Sequence, residues 1–294
     1  MTGRGTRQLV AFAVLLIFYY LYLSTQYGNF VWPTTMVLLA LGFSSVGTIT
    51  MYRRLYYLVA SAPHMAFFAA TSGLAMAYLL VWGHELELSL AVGTLLMLAA
   101  GFAISSGSDP DAITSVVVGA TTAGGVLLAF LVLTRVPVYF DVTALMLGQP
   151  LLASPSDLMI AGIVVAISVL ALLLTLHEQI SLGLDRTSFR VAGPNPTLYD
   201  FLAYLLIGIN VVGLLKIAGY VLEHVLLLMP PAVVSLLSRS ARSAIAMLYN
   251  VTIASALLGL HMGLALNLPP TGFMGLVLLT LYVVAQIMRR ARAA

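Results

Sequence analysis

The chain has 294 residues, 61% of them hydrophobic and 8% charged, with a formal net charge of +3 and a mean hydropathy of +1.06. Ordinary soluble domains carry about 25% charged residues, so the composition excludes a soluble enzyme and identifies a polytopic membrane protein. There is no cysteine, which excludes disulfides and thiolate metal ligands and leaves imidazole, carboxylate, amide or backbone oxygen to hold any ion.

A spanning helix needs about 20 apolar residues, and apolar runs recur at about 8–24, 32–52, 56–82, 87–106, 112–134, 158–176, 199–220, 221–236, 243–266 and 271–288. They predict an all-α helical membrane protein of about nine to ten transmembrane segments, a single transmembrane domain over 1–294. The first run is long, bulky and aromatic and lacks a small-residue cleavage pattern, so residues 1–30 read as a retained extra N-terminal span rather than a signal peptide. The eighth run is short and ends at Pro230-Pro231, which predicts a broken or half helix of the kind that lines cavities. With a cytoplasmic N-terminus, Arg4/Arg7, Arg53/Arg54, Arg186/Arg190, Arg239/Arg242 and Arg289/Arg290/Arg292 all fall inside, and Arg135 alone falls outside. This distribution indicates topology in the cell membrane, not nucleic-acid binding. Gly42, Gly73, Gly101, Gly119, Gly124 and Gly125 suit close helix packing.

Few polar residues interrupt the spans. His84, Glu85 and Glu87 form an external acidic loop, and Asp109 and Asp111 flank Pro110 as a helix start. His177–Glu178 lacks the second histidine of a His-Glu-x-x-His zinc motif. The longest polar stretch, His177 to Asp200, is too short to be a domain and reads as a cytoplasmic docking surface with a stop at Gly193-Pro194. Ionisable groups inside a bilayer cost about 2.5–3.5 kcal/mol each and need a partner or a purpose. His64 lies in the third span. Glu223 and His224 flank the predicted break and could supply an oxygen and a nitrogen ligand; alternatively, Glu223 pairs with Lys216, the only lysine in the chain. His261, on the ninth span, is either a further ligand or a packed core histidine.

The segment LDRTSFRVAGPNP, followed by KIAGYVLEHVLLLMPPAVVSLLSRSARS, resembles the C-terminal half of the permease subunits of zinc and manganese ABC importers. FDVTALMLGQPLLASPSDL, DAITSVVVGA, GTITMYRRLYYLVASAPHMAFFAA and LNLPPTGFMGLVLL extend the resemblance over roughly residues 32 to 290, in the family's order. It implies a coupling helix within 177–198, with Asp185, Arg186, Arg190 and Gly193 as partner-coupling residues, and it implicates His64 in metal coordination. The family's Asp one turn before that histidine is Ala60 here, so Glu223 and His224 are candidates to replace it, with His261 a further candidate to touch the ion. The resemblance further implies a homodimer, a separate ABC ATPase subunit that binds ATP, an extracytoplasmic metal-binding protein, and a transported divalent ion of zinc, manganese or iron rather than a resident cofactor.

No Gly-rich phosphate loop occurs in the chain, so ATP belongs to the partner. No catalytic motif occurs either, and the chain reads as a transporter subunit rather than an enzyme. Permeation of a metal chelate or vitamin, or a structural subunit without transport, are the alternatives.

Overall fold

In the computed structural model, which describes residues 3–80, 84–135, 142–148, 150–238 and 240–293, all regular structure is helical. The elements are α1 (Gly3–Gln26), α2 (Val31–Arg53), α3 (Tyr56–Leu79), α4 (Glu85–Ser105), α5 (Pro110–Arg135), a short α6 (Val142–Leu147), a 3₁₀ turn (Pro150–Leu152), α7 (Pro155–Leu184), α8 (Arg186–Val191), α9 (Pro196–Leu237), α10 (Ala241–Leu266) and α11 (Pro270–Ala293). Among the described residues, nine helices are long and apolar enough to cross a membrane. Most of α2, α3 and α9 is buried, whereas α1, α5 and α11 are largely exposed and form the periphery.

The longest element cannot be straight. Forty-two residues of helix would extend about 63 Å at ~1.5 Å per residue, twice the hydrocarbon thickness. Both ends of α9 instead lie at the same end of α2. Asp200, in its first turns, pairs with Arg53, while Ala241, just past its last residue, accepts a hydrogen bond from the hydroxyl of Tyr52 at 3.0 Å. The chain folds back at Gly219, whose φ of 76° and ψ of 152° break the helix. This conformation is essentially confined to glycine. One arm, 196–218, rises through the bundle and a second, 220–237, returns, so the chain makes ten passes.

The sequence expectation of a break at Pro230-Pro231 is therefore corrected. Both prolines lie inside the helix, and the ring of Pro231 packs so closely on α2 that a Cβ at Gly47 would sit 3.0 Å from it. A transmembrane helix tolerates the amide hydrogen bonds lost to proline when neighbours pack around it.

Ten passes place the ends of α2, α7 and α11 and the starts of α1, α3, α5, α8, α9 and α10 at one end of the bundle. Arg7, Arg53, Arg54, Arg186, Arg190, Arg242, Arg289 and Arg290 all belong to that end, as a cytoplasmic face requires. Arg135 closes α5 at the opposite end. Arg239, counted with the cytoplasmic group in the sequence, lies outside the described residues.

Lipid tails are as apolar as leucine, so small residues and buried polar contacts do much of the joining. A Cβ added at Gly42, Gly73, Gly101, Gly124 or Gly125 would collide with a neighbouring helix; at Gly119 it would meet nothing, so that glycine has no packing role here. Asn210 on the rising arm donates to the hydroxyl of Ser168 on α7 at 2.5 Å with both residues buried, a bond worth roughly 0.6 to 2 kcal/mol in a bilayer. Lys216 donates to Asp157 at 2.7 Å, joining the rising arm to the start of α7. Asp157 also completes a capping box with Ser154. The alternative pairing of Lys216 with Glu223 is thus not formed.

Candidate functional site

Three side chains from two spans meet beside the Gly219 turn. His64 lies on α3, and Tyr220 and His224 lie one turn apart on the returning arm, where four-residue spacing puts both on one helix face. The rings of His64 and His224 are 5.0 Å apart, centroid to centroid, at 86°; that of Tyr220 lies 5.1 Å from His64 and 4.6 Å from His224.

Tyr220 orients both imidazoles. Its hydroxyl lies 3.0 Å from Nδ1 and 3.2 Å from Nε2 of His64, and its backbone carbonyl accepts from Nδ1 of His224 at 2.9 Å. A proton on Nδ1 of His224 leaves the Nε2 lone pair available, the tautomer a metal ligand needs. His64 Nδ1 is also held by the Thr122 hydroxyl on α5, at 2.8 Å. A cavity of about 360 Å³ opens here, lined by His64, Tyr220 and Thr122 and by apolar residues of α5 such as Val126 and Phe130. Chemically, the cluster offers neutral nitrogen and hydroxyl donors and no charge.

The other candidates are elsewhere. Glu223 precedes His224 by one residue, a rotation of about 100° around the helix, and is fully buried in the core with neither carboxyl oxygen hydrogen-bonded. His261 accepts or donates at 2.6 Å to the hydroxyl of Tyr19 on α1 and is surrounded by the rings of Tyr19, Tyr22 and Tyr27. It fastens the first helix to α10. Among the described residues no three His, Cys, Asp or Glu side chains converge on one point. Ala60 precedes His64 by one turn on the same face and brings no carboxylate there.

At the Arg-rich end, the helices reach further into the 177–198 segment than the sequence suggested. α7 runs to Leu184 and α9 begins at Pro196, so only the stretch around α8 projects. Asp185 caps α8, accepting from the amides of Thr187 at 2.9 Å and Ser188 at 3.1 Å and from the Ser188 hydroxyl at 2.5 Å. The Ser188 hydroxyl, then the two amides, hold its carboxyl below the ordinary value. Gly193 ends the helix at φ 106°, its amide donating to the Arg190 carbonyl at 3.1 Å. Phe189 is buried edge-on against Tyr199 at 5.5 Å, while Leu184 and Val191 are 80% and 83% exposed. Phe189 anchors the α8 segment to the bundle, while Arg190 and Val191 beside it are exposed.

Sequence reasoning did not single out Tyr220, although its spacing from His224 could have revealed it. Thr122, 58 positions from His64, left no local signal.

A family model described as the ABC 3 transport family matches residues 29–289. A relative described as a probable metal transport system membrane protein, from Thermotoga maritima, is 27% identical over 234 residues, covering 76% of this chain and 77% of that protein. Two solved structures share the fold. PsaBC from Streptococcus pneumoniae, in complex with Fab, superposes with a TM-score of 0.74 and 18% identity over 87% of this chain and 89% of that one. An inward-facing putative metal-chelate type ABC transporter superposes with a TM-score of 0.75 and 15% identity over 96% and 99%. The match begins at residue 29, so α1 precedes it, and this multi-pass membrane protein belongs to the ABC 3 transport family.

Proposed function

We propose that the chain is the permease subunit of an ATP-driven importer of divalent transition-metal ions, working as a homodimer. A separate ATPase subunit would dock on the α8 segment, and an extracytoplasmic metal-binding protein would deliver the ion at the opposite end. The observation that carries this reading is the pair of imidazoles, His64 and His224, oriented by one tyrosine beside a cavity that opens along the exposed α5 edge of the bundle. Imidazole nitrogen suits zinc, iron and similar ions, whereas magnesium and calcium prefer oxygen. A charge-free cluster binds a dication weakly, which suits a site that must release its cargo. Glu223 and His261 do not join this pair among the described residues.

The transport mechanism in this reading is alternating access. ATP binding would bring the paired ATPases together and displace α8; the spans would then re-orient around the imidazole pair. The exposed Leu184 and Val191 beside Arg190 form a surface suited to a groove on the ATPase.

The test is uptake of zinc, manganese or iron(II) by proteoliposomes holding the permease with its ATPase subunit. ATP-dependent uptake that falls more than roughly tenfold in both His64→Ala and His224→Ala supports the reading, since even an outer partner of a metal ligand costs about 10–100-fold when removed. Unchanged uptake in both variants removes the imidazole pair from the path. A complex that hydrolyses ATP without moving any of these ions favours a chelate cargo.

A further inference from the structure

One carboxylate ties the α8 segment to the spans. Asp200, 1% exposed, accepts both nitrogens of the Arg186 fork, Nη1 to Oδ1 at 3.2 Å and Nη2 to Oδ2 at 2.6 Å. The guanidinium of Arg53, 5% exposed at the end of α2, pairs with the same carboxylate. Arg53 also donates from Nη1 to Oε1 of Gln179 on α7 at 2.8 Å, and Nε2 of Gln179 donates to the Tyr199 carbonyl at 3.2 Å. Four elements, α2, α7, α8 and α9, therefore meet at this acid.

Both routes to the imidazoles start there. Arg53 is followed by the left-handed turn at Arg54, φ 55°, and then by α3, which carries His64. Asp200 itself stands at the root of the rising arm of α9, which leads through Gly219 to Tyr220 and His224. A loose connector on the membrane surface has no use for a buried carboxylate between two guanidinium groups, since desolvating such charges is costly. A bidentate fork fixes direction as well as distance.

We propose that Asp200 is a positioning residue that converts displacement of the coupling helix into joint movement of α3 and α9, and hence of His64 and His224. The inference rests on the reading of α8 as the ATPase docking helix.

The test uses the reconstituted permease–ATPase complex with zinc or manganese as the transported probe, comparing Asp200→Asn and Arg186→Gln with the unaltered chain. Asp200→Asn is expected to copurify with the ATPase subunit and to hydrolyse ATP; Arg186→Gln, which also alters the docking segment, is measured on the complex that does assemble; both are expected to move about tenfold less ion per ATP hydrolysed, in the range of ordinary coupling effects. Unchanged ion per ATP overturns the proposal, as does a defect fully explained by lost copurification. Should Asp200→Asn fail to fold, Arg186→Gln decides, because it leaves the Arg53–Asp200 pair intact. If the unaltered complex moves neither ion, the import reading fails separately. The positioning role is then judged from spin labels at Tyr57 on α3 and Val116 on α5: an ATP-driven distance change that Arg186→Gln abolishes supports it, and one that survives overturns it.

Discussion

Gly148 and Gly219 lie backbone against backbone, both with positive φ, 73° and 76°. A Cβ on Gly148 would strike the carbonyl of Ala218, and one on Gly219 would strike the amide of Gly148. The α6 region thereby braces the fold-back of α9. Gly219→Ala adds strain of about 1–3 kcal/mol for its backbone conformation alone, and the clash adds more. The expected result is a lower thermal unfolding midpoint in detergent together with loss of uptake; an unaltered midpoint would mean that the arms join in some other way.

Tyr220 touches both imidazoles through different atoms, which separates their contributions. Tyr220→Phe removes the hydroxyl beside His64 but keeps the carbonyl that holds His224. Uptake is expected to fall about tenfold, less than in His64→Ala, the lower end of what losing an orienting group outside the ligand costs. Measured zinc affinity equal to that of the unaltered chain would show that Thr122 alone suffices to orient His64.

The carboxyl of Glu223 is buried without a hydrogen bond, a condition that costs about 1–3 kcal/mol. Glu223→Leu replaces it with an apolar side chain of similar length and is expected to raise the unfolding midpoint. A fall would reveal that the carboxyl is satisfied by a partner bound in the membrane.

The cap of α8 carries a defined pH dependence. Asp185 has its folded pKa lowered by the bonds from Ser188 and Thr187. Its contribution is therefore fully present above the unfolded carboxylate value of about 3.9 and is lost as pH falls through the lower folded value. Hydrogen-exchange protection of the Thr187 and Ser188 amides, corrected for intrinsic rates, should be flat from about pH 8 to pH 5 and decline below about pH 4. Asp185→Asn should keep the cap but abolish the acid decline.

What could be read from sequence followed the physics of the bilayer. Span positions were legible because hydrocarbon imposes apolar runs on the chain, and the gathering of arginines at one end was legible from their spacing along those runs. The stop at Gly193 was legible because a helix end is a local event. The break in α9 was misplaced because proline is the stronger local signal; Gly219 earns its role only through Gly148, 71 positions away in the chain and visible only once folded. Glu223 and His224 were grouped because they are adjacent in sequence, whereas adjacent residues on a helix point in different directions. His261 looked like any intramembrane histidine until Tyr19 was found beside it. Asp200 was read as the edge of a polar stretch, and nothing nearby in sequence announces the two arginines that converge on it.

The first helix is fastened to α10 through a tyrosine–histidine bond and a cage of rings, and it stands apart from both the imidazole pair and the arginine-clasped carboxylate. A helix joined in this manner can loosen on its outer surface while the centre of the bundle keeps its geometry.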